Sequence, residues 1–200
     1  MYNQGLSLVR VTDAATEPLS VADAKAHCRI DGSDDDSYLG GLITAARHHV
    51  EAQTRRTLAS VTWRMALDAF PPFDEIAALR VDQSIVIPMA PLLGVDHVKY
   101  YSVANVLTTL SSSAYYVTAT GEPGRIIPVW GTVWPSTYYR PEVVEVQFRS
   151  GYATAPAGLV HAMKFLVAYW YEHRVAAEEA SLTPIPLAVS SLIASYKWKL

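Results

Sequence analysis

The histidines are the first side chains to consider for metal binding or catalysis. His48 and His49 are adjacent, so on a helix their side chains point about 100° apart and do not clamp one metal ion. His161 and His173 are twelve residues apart, far beyond the i, i+4 spacing of a helical zinc pair. Cys28, the only cysteine, follows a histidine, but side chains of neighbouring helical residues diverge. The sequence therefore predicts no metal site and no thiol nucleophile.

A cluster of aspartates precedes a predicted helix: Asp31, Asp34, Asp35 and Asp36. The cluster lacks the alternating oxygen ligands, the sixth-position Gly and the closing Glu of a helix-loop-helix calcium site. Carboxylates in a first turn oppose the positive end of a helix, so capping explains them with fewer assumptions. No nucleophile elbow, phosphate-binding loop or dinucleotide motif occurs. The sequence predicts a protein that is not an enzyme and that holds no cofactor.

Length and composition indicate one globular domain. The chain has 200 residues, of which 50% are hydrophobic and 18% charged. Its formal net charge of −3 argues against a large basic surface for gripping nucleic acid. A single cysteine suits a reducing cytosol, and no signal peptide or membrane-length apolar stretch is visible. We expect a soluble protein, made inside the cell, that does not contact a membrane.

The positioning elements fall into helical and strand-like stretches. Pro18-Leu19-Ser20 predicts a helix start with Ser20 as the N-cap, and a second, longer helix is expected from the aspartates to about Leu58. Its apolar stripe contains Leu39, Leu42, Ile43, Ala46 and Val50, whereas Arg47, Glu51, Arg55 and Arg56 lie mostly off it. Period-two alternation predicts strands over Val61–Leu67 and Val144–Arg149. Shorter strands are expected at Ile85–Ile87, Val95–Tyr101, Asn105–Leu110, Tyr115–Thr118 and Arg125–Val129.

The predicted fold class is α+β: a bundle of long helices with an inserted antiparallel β meander and a short C-terminal docking helix. Within a single domain, residues 1–59 are expected to be helical and 60–150 β-rich. Residues 151–182 form a long helix that ends near Glu178–Ala180, and 183–200 form the docking segment. The prolines at 184 and 186 are expected to interrupt the helix between the 151–182 segment and the helix of the docking segment.

Two features are not fully explained by a folded core. The first is the aromatic loop, Pro128 to Pro141, which holds two Trp, two Tyr and three Pro. It is a minor core under a loop, a protein–protein surface, or a platform for stacking on bases or sugars. The second is the terminal helix, which is too short to be stable alone. It docks either on its own domain or in the groove of a partner.

Three blocks of the chain resemble the head–tail connector, or adaptor, proteins of long-tailed bacteriophages and of phage-like gene transfer agents. The resemblance spans nearly the whole chain, and one departure is Arg55-Arg56, where relatives often place a Gly after the Thr. The first block is Pro18–Lys25, Arg29-Ile30-Asp31, Asp35-Asp36, Ala45-Ala46-Arg47, Val50-Glu51 and Thr54, then Thr62-Trp63 and Leu67–Pro71. The second is Val146–Tyr152, Pro156, Ala162, Tyr171-Glu172 and Arg174, and the third is Ile185-Pro186, Leu192 and Tyr196.

The resemblance implies a structural virion protein at the head–tail junction, made in the host bacterial cytoplasm. Such adaptors form a ring, usually twelvefold, under the portal protein and extend the DNA channel towards a stopper or tail terminator. Double-stranded DNA passes through without sequence-specific binding. On this basis the portal-binding residues would be Ile185, Val189, Leu192, Ile193, Tyr196 and Trp198. The residues contacting another subunit or the tail side would be Trp130, Trp134, Tyr138, Tyr139 and Arg140.

Two other function classes stay open on the residues alone. The 12 Tyr and 5 Trp are compatible with a glycan- or nucleic-acid-binding module built on the β region. A site formed only between subunits would make an enzyme without a motif in the single chain. Retention on a glycan column, or activity confined to an assembled ring, would distinguish these classes from the connector.

Overall fold

A computed structural model describes residues 6–72, 83–173 and 187–197. The described residues form four α-helices and eight strands, all of whose pairings are antiparallel, so the α+β class is confirmed. The helices are α1 (Val21–Cys28), α2 (Asp36–Thr54), α3 (Ala157–Glu172) and α4 (Leu187–Ala194). The strands are β1 (Leu6–Arg10), β2 (Val61–Leu67), β3 (Ile85–Val86), β4 (Leu92–Tyr101), β5 (Leu107–Thr109), β6 (Tyr115–Thr118), β7 (Arg125–Pro128) and β8 (Val144–Ser150).

The chain divides into two compact units, each built from two separate segments. The β unit comprises Met1–Asp13 and Ser60–Gly151, and the helical unit comprises Ala14–Ala59 and Tyr152–Leu200. Each unit therefore needs sequence from both halves of the chain.

A five-stranded sheet dominates the β unit, in the order β1-β2-β8-β4-β5. Buried side chains alternate with more exposed ones along β2 and β8, as their period-two sequences predict. One face of the sheet is therefore buried and the other is open. Met65 and Val146 are paired in register on the buried face, whereas Arg64 and Gln147 are paired on the open one. The open face carries the polar side chains described below.

The second sheet of the β unit has three strands, in the order β3-β7-β6. Gly124, just before β7, approaches the five-stranded sheet closely. A Cβ atom at this glycine would lie 2.6 Å from the side chain of Leu92. A residue without a side chain is therefore required at this close contact between the two sheets.

The helical unit packs α1, α3 and α4 against α2 around one apolar core. Its fully buried residues include those of the stripe predicted for α2, apart from the partly buried Leu42. Ser20 caps α1 as expected, because its Oγ accepts the N–H of Asp23 at 3.0 Å. Asp35 occupies the N-cap position of α2, but its carboxylate accepts the phenol of Tyr171 at 2.5 Å and makes no side-chain cap. This bond joins the start of α2 to the end of α3.

A charged network is buried inside the helical unit, which the sequence analysis did not predict. Arg47 is 1% exposed and donates from Nε to Glu17 at 2.7 Å. Its Nη1 lies 3.5 Å from Oε2 of Glu51, and Oε1 of Glu51 accepts the N–H of Leu58 at 2.7 Å. The placement of Arg47 and Glu51 off the buried stripe is therefore wrong. Each has hydrogen-bonding partners there, which offset the cost of burying its polar group.

The β topology differs from the predicted meander. β8 lies between β2 and β4, so the central strand of the sheet comes last in the sequence. Local alternation identifies strands, but it does not show which distant strands pair. The strand β1 was also not predicted, because its five residues lie apart from the other strand signals. The helix ends also differ: α2 stops at Thr54, and the end predicted for α3 lies outside the described residues.

Candidate interaction surfaces

The described residues contain no cluster of three or more His, Cys, Asp or Glu side chains arranged to hold a metal ion. None of the helices described combines the length and apolar character needed to cross a membrane. Burial, followed by the nearby carboxylate of Glu172, raises the pKa of the Cys28 thiol. Such a thiol stays protonated and is a weak nucleophile.

The surroundings of two histidines in the helical unit lower their pKa. Burial lowers the pKa of His49, whose ring meets Trp170 edge-on and whose buried Nε2 has no hydrogen-bond partner among the described residues. Burial, then His161 and Lys164, lowers the pKa of His27. The environments of His27 and His49 both disfavour protonation.

The aromatic loop divides into packed and exposed side chains. The ring of Trp134 stacks on Phe70 with centroids 4.8 Å apart, and its Nε1 donates to the carbonyl of Gln83 at 2.8 Å. Trp130 is 95% exposed and Tyr139 is 100% exposed. Part of the loop is thus a minor core, whereas the two most exposed rings have surfaces available for a partner.

The second half of the aromatic loop lies beside the turn between β4 and β5. Ser102 and Thr137 form an isolated antiparallel bridge, and the N–H of Tyr138 donates to the carbonyl of Tyr101 at 3.0 Å. The guanidinium of Arg140 lies 4.1 Å from the centre of the Tyr101 ring. The backbone of Tyr138 and the side chain of Arg140 are therefore held against the β4–β5 hairpin, and the fully exposed Tyr139 lies between them in the chain.

The tip of this hairpin is an exposed apolar surface that the sequence analysis missed. Val103, Val106 and Leu107 are all at least half exposed. No charged residue lies between Lys99 and Glu122. This lack of charge is the sequence feature that indicates an exposed apolar surface here. We call Val103, Val106, Leu107 and Tyr139 the hairpin patch.

A small cleft of about 190 Å³ lies on the open face of the five-stranded sheet. Residues of every strand of this sheet contribute to it, together with part of the aromatic loop. Its charges are mixed, and His97 lies 3.2 Å from Glu145 beside it. The lining residues are Ser7, Val9, Arg64, Ala66, Tyr101, Leu107, Arg140, Glu142, Val143 and Glu145.

The terminal helix α4 docks on its own unit, which was one of the two alternatives left open by the sequence. Val189 and Ile193 are buried in the helical core, and Leu192 and Tyr196 pack partly buried against it. Of the other portal-binding predictions, Ile185 and Trp198 lie outside the described residues. The apolar face of α4 is therefore occupied within its own chain.

Arg56 and Gly158 both contact Tyr196, which follows the end of α4. Nε of Arg56 donates to the carbonyl of Tyr196 at 2.8 Å, and Nη1 donates to the phenol of Tyr152 at 2.6 Å. Gly158, in the first turn of α3, faces the Tyr196 ring closely. A Cβ atom added at Gly158 would lie 3.1 Å from the Tyr196 hydroxyl. Arg56, part of the Arg55-Arg56 departure from the family pattern noted above, thus holds the end of α4 in place.

Comparison with known proteins gives one family and several solved structures. Residues 18–90 match the family model described as "Phage gp6-like head-tail connector protein". None of the curated proteins compared matches the sequence.

The structural matches cover almost all of the chain. A chain from the neck of an empty gene transfer agent particle, computed with C6 symmetry, has a TM-score of 0.75 and 24% identity, covering 96% of this chain and 95% of its own length. A chain from the virion of a native gene transfer agent particle has a TM-score of 0.73 and 25% identity, with 95% and 94% covered. A third, from a native neck computed with C12 symmetry, has a TM-score of 0.69, 25% identity, and 96% and 94% covered.

The family model covers α1, α2 and the first strands that follow, and the solved structures extend the likeness to both units. The family match and the solved structures thus confirm the resemblance to head–tail connector proteins that the sequence predicts.

Proposed function

We propose that the protein is a structural, non-catalytic connector at the head–tail junction of a phage-like particle. The observation that carries this proposal is the likeness, over 95–96% of the chain, to chains from necks and virions of gene transfer agent particles. The family match over residues 18–90 points to the same role. The exposed aromatic and apolar side chains of the β unit supply surfaces for assembly.

In this proposal the subunits form a ring, dodecameric as in connectors of this type, under the portal protein. The ring extends the DNA channel and supports a tail-side stopper or tail terminator. The formal net charge of −3 is compatible with a channel through which DNA slides, because a strongly basic lumen would retain phosphates. A ring contact is heterologous, so each subunit must present two different surfaces.

The terminal segment remains our proposed portal contact, within a helical unit that forms a bundle-like body. Because Val189 and Ile193 are buried, the portal would contact α4 through its outward residues or through the segments that flank it. Leu187 is 84% exposed at the start of α4 and is the apolar side chain best placed for this contact. For the tail side or a neighbouring subunit, Trp130 and Tyr139 are the exposed candidates.

The experiment that tests the proposal removes the gene from a producing strain. We expect DNA-filled heads and free tails that do not join, and we expect wild-type protein supplied in trans to restore tailed particles. Electron microscopy of the restored particles should show a ring of this chain in the neck. Normal tailed particles without the protein would contradict the proposal.

A further inference from the structure

We propose that the β units of neighbouring copies associate edge to edge, with strand β1 of one copy packing against the hairpin patch of the next. This inference rests on the proposed ring and assigns its subunit contact to named surfaces. The two surfaces occupy the two ends of one sheet, since β1 and β5 are its outer strands in the described part of the chain.

The hairpin patch has the character of a preformed protein contact. The N–H of Ser102 donates to the carbonyl of Val106 at 2.9 Å, and the N–H of Asn105 donates to the carbonyl of Ser102 at 2.7 Å. Asn105 adopts the left-handed conformation, with φ 57°, that closes the turn. Exposed apolar side chains on a well-bonded turn lose little conformational entropy when a partner covers them.

The β1 surface has a matching lack of free charge. Leu6, Val9 and Val11 are exposed along β1 and just after it. The one charged side chain of the strand, Arg10, is bonded to Asp13 at 2.7 Å and lies 4.7 Å from the centre of the Trp63 ring. An exposed edge strand without a free lysine or a proline is suited to pairing with another chain.

The topology of the sheet allows the same contact to repeat from one copy to the next. Successive pairings in the five-stranded sheet are antiparallel, so β1 and β5 run in the same direction. Copies related by a small rotation therefore present β1 and the β4–β5 hairpin to each other in the same orientation at every contact. Because the two surfaces differ, the contact is heterologous, and it builds a ring when the rotation between successive copies closes.

The chemistry of the two surfaces favours a second copy over DNA as the occupant. Phosphates require clustered cations, whereas the stretch from Tyr100 to Gly121 contains no charged residue. Two largely apolar edges bury each other without leaving a charge unpaired, because Arg10 of β1 keeps Asp13 as its partner. The β1 edge of a neighbouring copy is the surface on this chain, at the opposite end of the same sheet, that meets this condition.

Cross-linking of full-length protein in assembled particles tests the contact. In a Cys28→Ser background, Val9→Cys and Val106→Cys are introduced on separate chains, co-expressed in a producing strain, and treated in purified particles with a short bis-maleimide. We expect cross-linked dimers when both variants are present and none when either is present alone. Val117→Cys, on β6, replaces Val106→Cys as the matched control and should not cross-link to Val9→Cys.

The other outcomes overturn the inference. If each single-cysteine variant cross-links to itself, the contact is two-fold and does not build a ring. If the protein is present in particles but Val9→Cys and Val106→Cys do not join, or Val117→Cys joins equally well, the ring uses other surfaces and only this inference fails. Absence of the protein from tailed particles would instead overturn the proposed function.

Discussion

At the residue scale, two tryptophans of one loop have opposite roles. Trp134 stacks on Phe70 and donates a hydrogen bond, whereas Trp130 is almost completely exposed. We expect Trp134→Ala to lower the free energy of unfolding by about 3 kcal/mol, the lower end for large aromatic truncations because the ring is only partly buried. Trp130→Ala should change it by less than about 0.5 kcal/mol. Urea titrations measure both, and equal losses would contradict this division of the loop.

Arg55 is a second residue with a measurable consequence. It ends α2 in the left-handed conformation, with φ 57° and ψ 31°. Glycine adopts this conformation without the steric cost borne by other residues. Arg55→Gly should therefore raise the free energy of unfolding by about 1 kcal/mol. Arg55→Ala is the matched control, and an equal gain from it would show that backbone strain is not the cause.

Glu51 is the buried acid on which Arg47 and the N–H of Leu58 depend. Glu51→Ala leaves a buried guanidinium with fewer partners and a buried donor unsatisfied. Removing one partner of such a pair costs on the order of 3 kcal/mol. Gln53→Ala, on the exposed face of the same helix, is the control and should be nearly neutral in thermal or urea unfolding. A Glu51→Ala protein as stable as wild type would show that the network does not stabilise the fold.

His49 makes the helical unit sensitive to acid. Burial lowers the pKa of its folded form, so the neutral ring is favoured in the native state. Stability is then complete above the unfolded pKa of about 6.5 and decreases as the pH falls below it towards the lower folded pKa. We expect His49→Phe to lose less unfolding free energy than the wild-type protein between pH 7.5 and pH 5. The same pH dependence in wild type and His49→Phe would contradict this assignment.

At the element scale, the seating of α4 depends on the glycine in the first turn of α3. Ala normally stabilises a helix by about 1 kcal/mol over Gly, and Gly41→Ala in open space on α2 should show this gain. Gly158→Ala should gain less, because its Cβ would press on the Tyr196 ring. In a Tyr196→Ala background the Gly158→Ala gain should reappear, which a double-mutant cycle measures. Additive effects would show that α4 does not rest on this glycine.

How far the sequence predicts these elements depends on how local their signals are. The capping of α1 by Ser20 and the alternation of β2 and β8 involve neighbouring residues, and both predictions are confirmed. The burial of Arg47 depends on Glu17, thirty residues away, so its helical pattern alone indicates an exposed position. The placement of β8 between β2 and β4 is likewise set by distant pairing. The exposed hairpin tip has a local sequence feature, its lack of charge, but this feature does not correspond to a recognised binding motif.

At the scale of the whole molecule, the proposed assembly surfaces can be separated from the fold. Trp130→Ala combined with Tyr139→Ala removes two exposed rings and should change the free energy of unfolding by less than about 1 kcal/mol. The same protein should restore fewer tailed particles than wild type in a strain that lacks the gene. Tyr116→Ala, which removes an exposed ring on β6, is the control for loss of surface area. If the double variant restores as many tailed particles as the wild-type protein, neither ring takes part in the assembly contact.

The order of the segments along the chain also has a consequence for biosynthesis. The β unit requires β8, and the helical unit requires α3 and α4, so the closing piece of each unit comes from the final third of the chain. A ribosome releasing this protein from its N-terminus therefore exposes α2 and β2 well before their partners have been translated. The β unit then completes its core only after β8, and the helical unit only after α4, so fragments truncated before residue 144 are expected to be substrates for chaperones and proteases.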